Sequence, residues 1–223
     1  MNPIFEKCYY DLLMEINPSG TESYVIDAFD ITEEDKILLN EHGLSVQSWC
    51  IQAGNQLEKG NNALFSHLNA NLIEDKIEVV GRYMKGPKKG LPRINVIKQN
   101  IVVVNGKNRQ VDHFIRIKRK DGVHKLYLES KCNLTFDTEK KGESNKKVAE
   151  VMKALGADGG GYFIPVLRTI PKELRDKYPD KTLYGVQDIL DMFPDCGITC
   201  DEIFAGYRKM KNDWFAKLRS KEV

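Results

Sequence analysis

Residues 111–131 predict an antiparallel β-hairpin, and this prediction limits the folds open to the chain more than any other stretch does. Apolar and polar side chains alternate along residues 111–118, which is the period-two pattern of a strand with one face on the core. Asp121-Gly122 is a dipeptide favoured in tight hairpin turns, and residues 125–131 alternate again. Because the two strands run in opposite directions, the first and last residues of the hairpin meet at the end away from the turn.

Three polar side chains are predicted to meet at that end of the hairpin. Asp112 belongs to the first strand, and Glu129 and Lys131 share one face of the second strand. Two carboxylates provide the oxygen ligands that Mg²⁺ prefers, and an ammonium group beside them can orient a water molecule, transfer a proton or stabilise an anionic transition state. The hairpin therefore predicts a magnesium site formed by Asp112 and Glu129, with Lys131 as a catalytic group.

An aspartate followed by Glu-x-Lys at the end of the next strand resembles the PD-(D/E)xK nuclease superfamily, over about residues 52–167. Val111 stands where the superfamily often has proline, a position that is frequently degenerate. Residues 129–140 read Glu-Ser-Lys-Cys-Asn-Leu-Thr-Phe-Asp-Thr-Glu-Lys, which is similar to a form seen in some type II restriction endonucleases. The resemblance implies an α/β fold with a mixed sheet, built on the αβββαβ core of restriction endonucleases and flanked by N- and C-terminal helices.

The resemblance also implies the chemistry of the site. Asp112 and Glu129 would hold Mg²⁺ with the help of the Ser130 carbonyl, and Lys131 would help to activate the water that attacks phosphorus. In the superfamily a helix before the sheet often supplies a further glutamate, and Glu58 is the matching acid in this chain. The implied activity is Mg²⁺-dependent cleavage of double-stranded DNA at a specific short sequence, which leaves 5′-phosphate and 3′-hydroxyl ends.

The implied enzyme is a type II restriction endonuclease that acts as a homodimer, because two active sites related by a twofold axis match a palindromic duplex. A cognate DNA methyltransferase is the expected functional companion of such an enzyme, although not a stable partner. Two alternatives remain open. One is a repair, recombination or structure-selective nuclease on the same core, and the other is a DNA-binding module in which Asp112, Glu129 and Lys131 form only a surface ion-pair cluster.

Charge is divided unevenly along the chain. Residues 1–80 carry four Lys/Arg and 14 Asp/Glu, so the remaining residues hold a net charge of +12 within the overall +2. Between Arg82 and Lys125 there are 13 basic residues and two acids, a density expected of a surface that binds a polyanion. The polar residues predicted to contact DNA, in and after this segment, are Lys85, Lys88, Lys89, Arg93, Asn133, Lys140, Lys146 and Lys147.

The 223 residues are predicted to form one nuclease domain with three parts. Residues 1–45 are interpreted as a helical, acidic N-terminal extension, residues 46–170 as the catalytic core, and residues 171–223 as a C-terminal strand and helices. Within the core, a helix is weakened at Gly60-Asn61-Asn62, and an Asn105-Gly106 turn closes a strand that is predicted to join the hairpin in a three-strand meander. A helix ending near residue 155 and a buried strand at residues 162–167 complete the core.

Composition places the chain among ordinary globular proteins, since 41% of its residues are hydrophobic and 30% are charged. It has no apolar run of 18 residues and no basic leader followed by an apolar segment, so membrane insertion and secretion are not expected. Its five cysteines are odd in number and scattered, which favours reduced thiols and a cytoplasmic location.

Residues 85–93 (Lys-Gly-Pro-Lys-Lys-Gly-Leu-Pro-Arg) are interpreted as a basic loop because they are rich in glycine and proline. We expect this loop to contribute affinity for DNA that does not depend on the DNA sequence. Each phosphate contact that is removed lowers the slope of log K against log salt by about 0.9. Replacing Lys88 and Lys89 together by glutamine should therefore weaken binding and reduce the slope by up to about 1.8. Titration of a labelled duplex at several salt concentrations measures both quantities, and an unchanged affinity and slope would mean that these lysines face only solvent.

Overall fold

The computed structural model describes residues 25–72, 76–82, 92–97, 101–132 and 143–220. The helices are α1 (Val25–Phe29), α2 (Glu33–Glu41), α3 (Val46–His67), α4 (Glu143–Leu155), α5 (Lys172–Lys177), α6 (Val186–Leu190) and α7 (Cys200–Arg219). The strands are β1 (Lys76–Arg82), β2 (Pro92–Ile97), β3 (Ile101–Val104), β4 (Lys107–Gln110), β5 (His113–Arg119), β6 (Gly122–Ser130), β7 (Gly159–Phe163) and β8 (Leu183–Tyr184). None of the described helices is both long and apolar enough to cross a membrane.

Strands β5 to β8 form one mixed sheet in the order β5-β6-β7-β8, while β1–β2 and β3–β4 form separate two-stranded sheets. The β5–β6 pair is antiparallel, and the other two pairs of the mixed sheet are parallel. Helix α4 provides the crossover that a parallel β6–β7 pair requires. The described residues therefore form an α/β protein with a mixed sheet and flanking helices, which confirms the predicted class.

The β5–β6 hairpin is present with the predicted strand direction. Its register pairs His113 with Leu128 and ends with Arg119 opposite Gly122, so that Asp112 falls directly opposite Glu129. Gly122 has a φ of 138°, a conformation that side chains rarely adopt, so the turn needs glycine at this position. The strands extend slightly closer to the turn than the alternation predicted, but the face assigned to each side chain is unchanged.

The predicted three-strand meander is wrong. Ile101–Val104 turns at Asn105-Gly106 and pairs with the polar segment Lys107–Gln110, not with β5. A two-residue turn closes at little cost in chain entropy, which favours the next segment as the partner even though its sequence lacks apolar alternation. The edge of β5 is instead approached by residues 70–72, where Leu72 N donates to Phe114 O and Arg116 N donates to Ala70 O, each at 2.8 Å.

Strand β7 (Gly159–Phe163) begins and ends earlier than the predicted strand at residues 162–167, because the three consecutive glycines belong to it. A Cβ atom at Gly160 would lie 2.8 Å from the Tyr127 carbonyl oxygen, and one at Gly161 would clash with the Thr182 carbonyl oxygen. Only glycine at these two positions therefore allows β6 and the segment before β8 to approach β7 so closely. The parallel register that results sets Glu129 of β6 beside Tyr162 of β7.

The apolar stripe of α7 belongs to the core of this chain. The ring of Tyr207 stacks on that of Phe29, with centroids 5.1 Å apart, and Trp49 of α3 packs against Trp214 and Phe215. All five of these aromatic side chains are at least nine-tenths buried. The stripe, which runs from Ile203 to Leu218, therefore packs in the core of its own chain.

A buried ion pair ties α7 to α2. Lys211 Nζ donates to Asp35 Oδ2 and to the Asp30 carbonyl oxygen, each at 2.8 Å, and both charged residues are almost fully buried. Asp35 also accepts a hydrogen bond from Thr32 N at the start of α2. The pair therefore joins the helix cap at one end of α2 to the C-terminal helix.

We expect Lys211→Met to lower the free energy of unfolding by about 3–5 kcal/mol, because the Asp35 carboxylate would stay buried without its main counter-ion. Lys209→Met is the matched control, since Lys209 pairs with Asp213 at 3.4 Å on an exposed part of the same helix. Its cost should be below about 1 kcal/mol. Urea denaturation followed by circular dichroism measures both values, and equal losses for the two variants would contradict a special role for the buried pair.

Candidate active site

Asp112 and Glu129 meet at the open end of the β5–β6 hairpin, as predicted. Asp112 stands directly before β5, and its Oδ2 accepts a hydrogen bond from the backbone N–H of Ser130 at 3.0 Å. Glu129 is 4% exposed and is the second-last residue of β6. The hydrogen bond to Ser130 therefore holds one carboxylate against the strand that carries the other.

The Glu129 carboxylate has three partners in the described part of the chain. Tyr127 Oη donates to Oε2 at 2.5 Å, and Lys147 Nζ donates to Oε1 at 2.5 Å and to Oε2 at 2.7 Å. Lys131 Nζ lies farther away, 3.7 Å from Oε1. The site thus contains two carboxylates and two ammonium groups, of which Lys147 makes the closer contact.

Burial, and after it the negative charge of Glu129, raise the pKa of Asp112 from 3.8 to about 6, against the opposing effects of Lys147, the Ser130 N–H and Lys131. Burial and the neighbouring Glu129 carboxylate also raise the pKa of the Tyr127 hydroxyl above its usual value of 10, so Tyr127 stays protonated and donates. The Glu129 carboxylate is therefore close enough to oppose the ionisation of Asp112. Added positive charge beside Asp112 would favour its ionised form.

Two asparagines of α3 connect this helix to the site. Asn61 is fully buried, and its Nδ2 donates to Ser130 Oγ at 3.1 Å. Asn62 Oδ1 lies 3.2 Å from His113 Nδ1, which must carry the proton because a carbonyl oxygen only accepts. The sequence interpretation treated Gly60-Asn61-Asn62 as a weak point of the helix. In the structure α3 is uninterrupted there, and the amides fix it to both strands of the hairpin.

Lys147 does not lie on the solvent face of α4, where the helical pattern of the sequence places it. Its side chain is 25% exposed and contacts Glu129, and its contact with DNA stays a prediction. The signal was its position four residues before the fully buried Val151, which puts Lys147 at the edge of the buried face. Lys146, next to it, is 74% exposed and faces solvent beside Glu150.

A second polar cluster holds the first turns of α4 over the sheet. Asn145 Oδ1 accepts hydrogen bonds from Tyr162 Oη at 3.0 Å and from Lys181 Nζ at 2.6 Å, and its Nδ2 donates to Asp180 Oδ2 at 2.5 Å. Because Asn145 precedes Lys147 by two residues on α4, this cluster fixes the backbone that carries Lys147.

Most of the other predicted site residues lie partly or wholly outside the described residues. Glu58 lies on α3, on the helix predicted for it, but its side chain is outside the described part of the structure. Arg93 is a backbone position of β2. Five predicted DNA contacts lie outside the described residues: Lys85, Lys88, Lys89, Asn133 and Lys140.

The carboxylates of Asp112 and Glu129 are oxygen donors of the kind that Mg²⁺ prefers. Within the described ranges, no group of three or more His, Cys, Asp or Glu residues could hold a metal ion. Mg²⁺ is commonly held by one or two carboxylates and keeps several water molecules. A divalent cation beside Asp112 would also offset the effect by which Glu129 raises the pKa of Asp112.

Comparisons of the chain with models of protein families, with curated proteins and with solved structures gave no match.

We expect His113 to make the fold less stable as the pH falls. Burial lowers the pKa of His113 from 6.5 to about 3, so over this window the unfolded chain binds a proton that the folded chain does not. The stability contributed by the neutral ring is fully present above pH 6.5 and is lost as the pH falls toward 3. The free energy of unfolding of the natural chain should therefore fall by up to about 1.4 kcal/mol per pH unit more than that of His113→Gln.

Urea denaturation from pH 7 to pH 4 measures this difference. Asp112 contributes with the opposite sign, because its raised pKa gives a stabilising contribution that is present below pH 3.8 and is lost as the pH rises through 6. Asp112 is present in both chains, so the comparison isolates His113. Parallel pH profiles for the two chains would show that His113 takes up its proton without loss of the fold.

Proposed function

We propose that this chain is a Mg²⁺-dependent endonuclease that cleaves double-stranded DNA at a specific short sequence, in the manner of type II restriction endonucleases. The observation that carries the proposal is the convergence of Asp112, Glu129 and Lys131 at one end of the β5–β6 hairpin, with Asp112 bonded to the Ser130 N–H. Hydrolysis of a phosphodiester needs a positioned cation, an oriented water molecule and a group that assists proton transfer. Those three residues provide ligands and an amine within one site.

In this proposal Asp112, Glu129 and the Ser130 carbonyl hold Mg²⁺, which supplies Lewis acidity at a phosphate oxygen. Lys131 orients the attacking water and assists the loss of its proton. The water oxygen forms a bond to phosphorus as the bond from phosphorus to the 3′ oxygen breaks, and that oxygen takes up a proton. The products are a 5′-phosphate and a 3′-hydroxyl.

The face of the hairpin that carries the carboxylates continues as a basic surface, which supports a polyanionic substrate. Arg116 and Lys118 of β5 alternate onto the same face as Asp112, and Lys125 of β6 is paired with Arg116. All three side chains are exposed. From Asp112 to Lys118 the strand covers about 20 Å at the usual rise of a strand. A duplex lying along it would place basic side chains on phosphates and the carboxylates at the bond to be cut.

We also propose that the chain acts as a homodimer, because cutting both strands of a palindrome requires two active sites. The apolar stripe of α7 is buried in the core of its own chain, so we favour the acidic N-terminal region, residues 1–45, as the dimer interface. The negative charge of this region would be repelled by the phosphates of DNA. Ile37 of α2 is 57% exposed and would provide an apolar contact in such an interface.

A second candidate function is a DNA-binding module without catalysis. It is favoured by the completeness of the ion pairing at Glu129, whose two carboxylate oxygens are already bound by Lys147 and Tyr127. In a binding module this cluster would only stabilise the fold. Binding of duplex DNA without cleavage in the presence of Mg²⁺ would identify this second function. Nicking restricted to branched or mismatched DNA would identify a repair or structure-selective nuclease.

We expect Glu129→Ala to lower the rate of DNA cleavage by more than about a hundredfold, because the loss of a ligand removes charge stabilisation at the phosphate. Binding of DNA should be largely retained, since contacts to phosphates elsewhere dominate the affinity. Asp112→Ala and Lys131→Ala should behave in the same way, and Glu58→Ala should have a smaller effect. Single-turnover cleavage and fluorescence anisotropy measure the two properties.

The matched control is Glu150→Ala, which removes a carboxylate from α4 that pairs with Lys146 and lies outside the site. It should cleave at a rate close to that of the natural chain. Cleavage by Glu129→Ala at the natural rate under Mg²⁺ would eliminate the assignment of this site.

A further inference from the structure

We infer that Lys147 is an internal counter-ion, which occupies the cation position at Glu129 in the metal-free chain and must leave it when a divalent ion binds. The inference rests on the proposed function, because it concerns how the same site takes up its metal. It also gives Lys147 a role different from that of Lys131, although both ammonium groups lie beside Glu129.

The contact between Lys147 and Glu129 is that of a cation shared by both oxygens of a carboxylate. Lys147 Nζ lies 2.5 Å from Oε1 and 2.7 Å from Oε2, whereas Lys131 Nζ lies 3.7 Å from the nearer oxygen. With Tyr127 Oη at 2.5 Å from Oε2, both carboxylate oxygens are engaged. A metal ion that binds Glu129 must take one of these same oxygens.

Burial explains why a counter-ion is needed at this position. Glu129 is 4% exposed, and a buried carboxylate without a partner is strongly destabilising. Asp112, held close by the Ser130 N–H, adds a second negative charge to the same end of the hairpin. Lys147 therefore supplies the positive charge that keeps the metal-free fold intact.

A divalent ion and the Lys147 ammonium group cannot both stay on Glu129. Mg²⁺ binds carboxylate oxygens at about 2.0–2.1 Å, and an ammonium group that remained on the same carboxylate would face two positive charges a few ångströms away. Lys147 has a route out of the site, because its side chain is 25% exposed and its four-carbon stem is flexible. Asn145 fixes the backbone of α4, so the side chain of Lys147 makes the movement.

The experiment measures binding of Mn²⁺, as a probe for Mg²⁺, to the full chain without DNA. Isothermal titration calorimetry should show that Lys147→Met binds Mn²⁺ at least about tenfold more tightly than the natural chain does. The variant lacks the ion pair with Glu129 that competes with the metal, and the loss of one modest interaction corresponds to about a tenfold change in affinity. Lys146→Met is the matched control, because it removes the same charge from the neighbouring, exposed position of α4. Its affinity should equal that of the natural chain.

A thermal melt gives a second readout that does not depend on activity. In EDTA, Lys147→Met should melt below the natural chain, and saturating Mn²⁺ should remove most of the difference. Lys147→Arg, which keeps the charge, should bind Mn²⁺ no more tightly than the natural chain and keeps the inference testable if the methionine variant does not fold.

Suppose that the natural chain binds Mn²⁺ through Glu129. Equal or weaker Mn²⁺ binding by Lys147→Met would then overturn the counter-ion role and leave the proposed nuclease function standing. Absence of Mn²⁺ binding in the natural chain and in every variant would overturn both. Tighter binding by Lys146→Met as well would reduce the effect to net charge and also refute the inference.

Discussion

The antiparallel register of β5 and β6 is the constraint on which the candidate site depends. It sets Asp112 opposite Glu129 and lets the Ser130 N–H bond the Asp112 carboxylate. A slip of one residue would turn Glu129 to the other face of the sheet and separate the two acids. The register is held by the Gly122 turn at one end and by the buried Ile115 and Leu128 on the core face. The same packing that stabilises the hairpin therefore assembles the site.

Electrostatic balance is the second feature of the site. Two carboxylates lie in a largely buried location, where the charge of Glu129 makes ionisation of Asp112 less favourable. The chain compensates with Lys147 on α4, with Lys131 after β6 and with the hydroxyl of Tyr127. These groups balance the charge of the two carboxylates. Under the proposed function, a metal ion would bind the same carboxylate oxygens that make these internal ion pairs.

Sequence reasoning predicted the features that depend on local chemistry. The hairpin, the turn at Asn105-Gly106 and the end of α4 before Gly156 follow from alternation and from glycine at positive φ, and the structure confirms them. The features it missed depend on distant packing. Strand β4 is polar and has no periodic signal. Gly160 and Gly161 of β7 are required by the backbone of Tyr127 and Thr182, which are their neighbours only in space.

The same division holds for the site. Asp112 and Glu129 were found because one hairpin joins them, whereas Lys147, Asn61 and Asn62 approach them from helices that are separate in sequence. Lys147 gave a weak signal at the edge of a buried helix face, but its partner could not be named without the β6–α4–β7 crossover. Charge patterns predict where cations are dense, and only the tertiary fold decides which of them turn inward.

The central claim is that the natural chain cuts duplex DNA. Its most direct test is incubation of purified protein with long unmethylated duplex DNA in Mg²⁺, followed by sequencing of the ends. We expect discrete fragments whose ends share one short sequence and carry 5′-phosphates, with no cutting in EDTA. DNA that stays intact in Mg²⁺ or Mn²⁺, at protein concentrations that saturate binding, would contradict it.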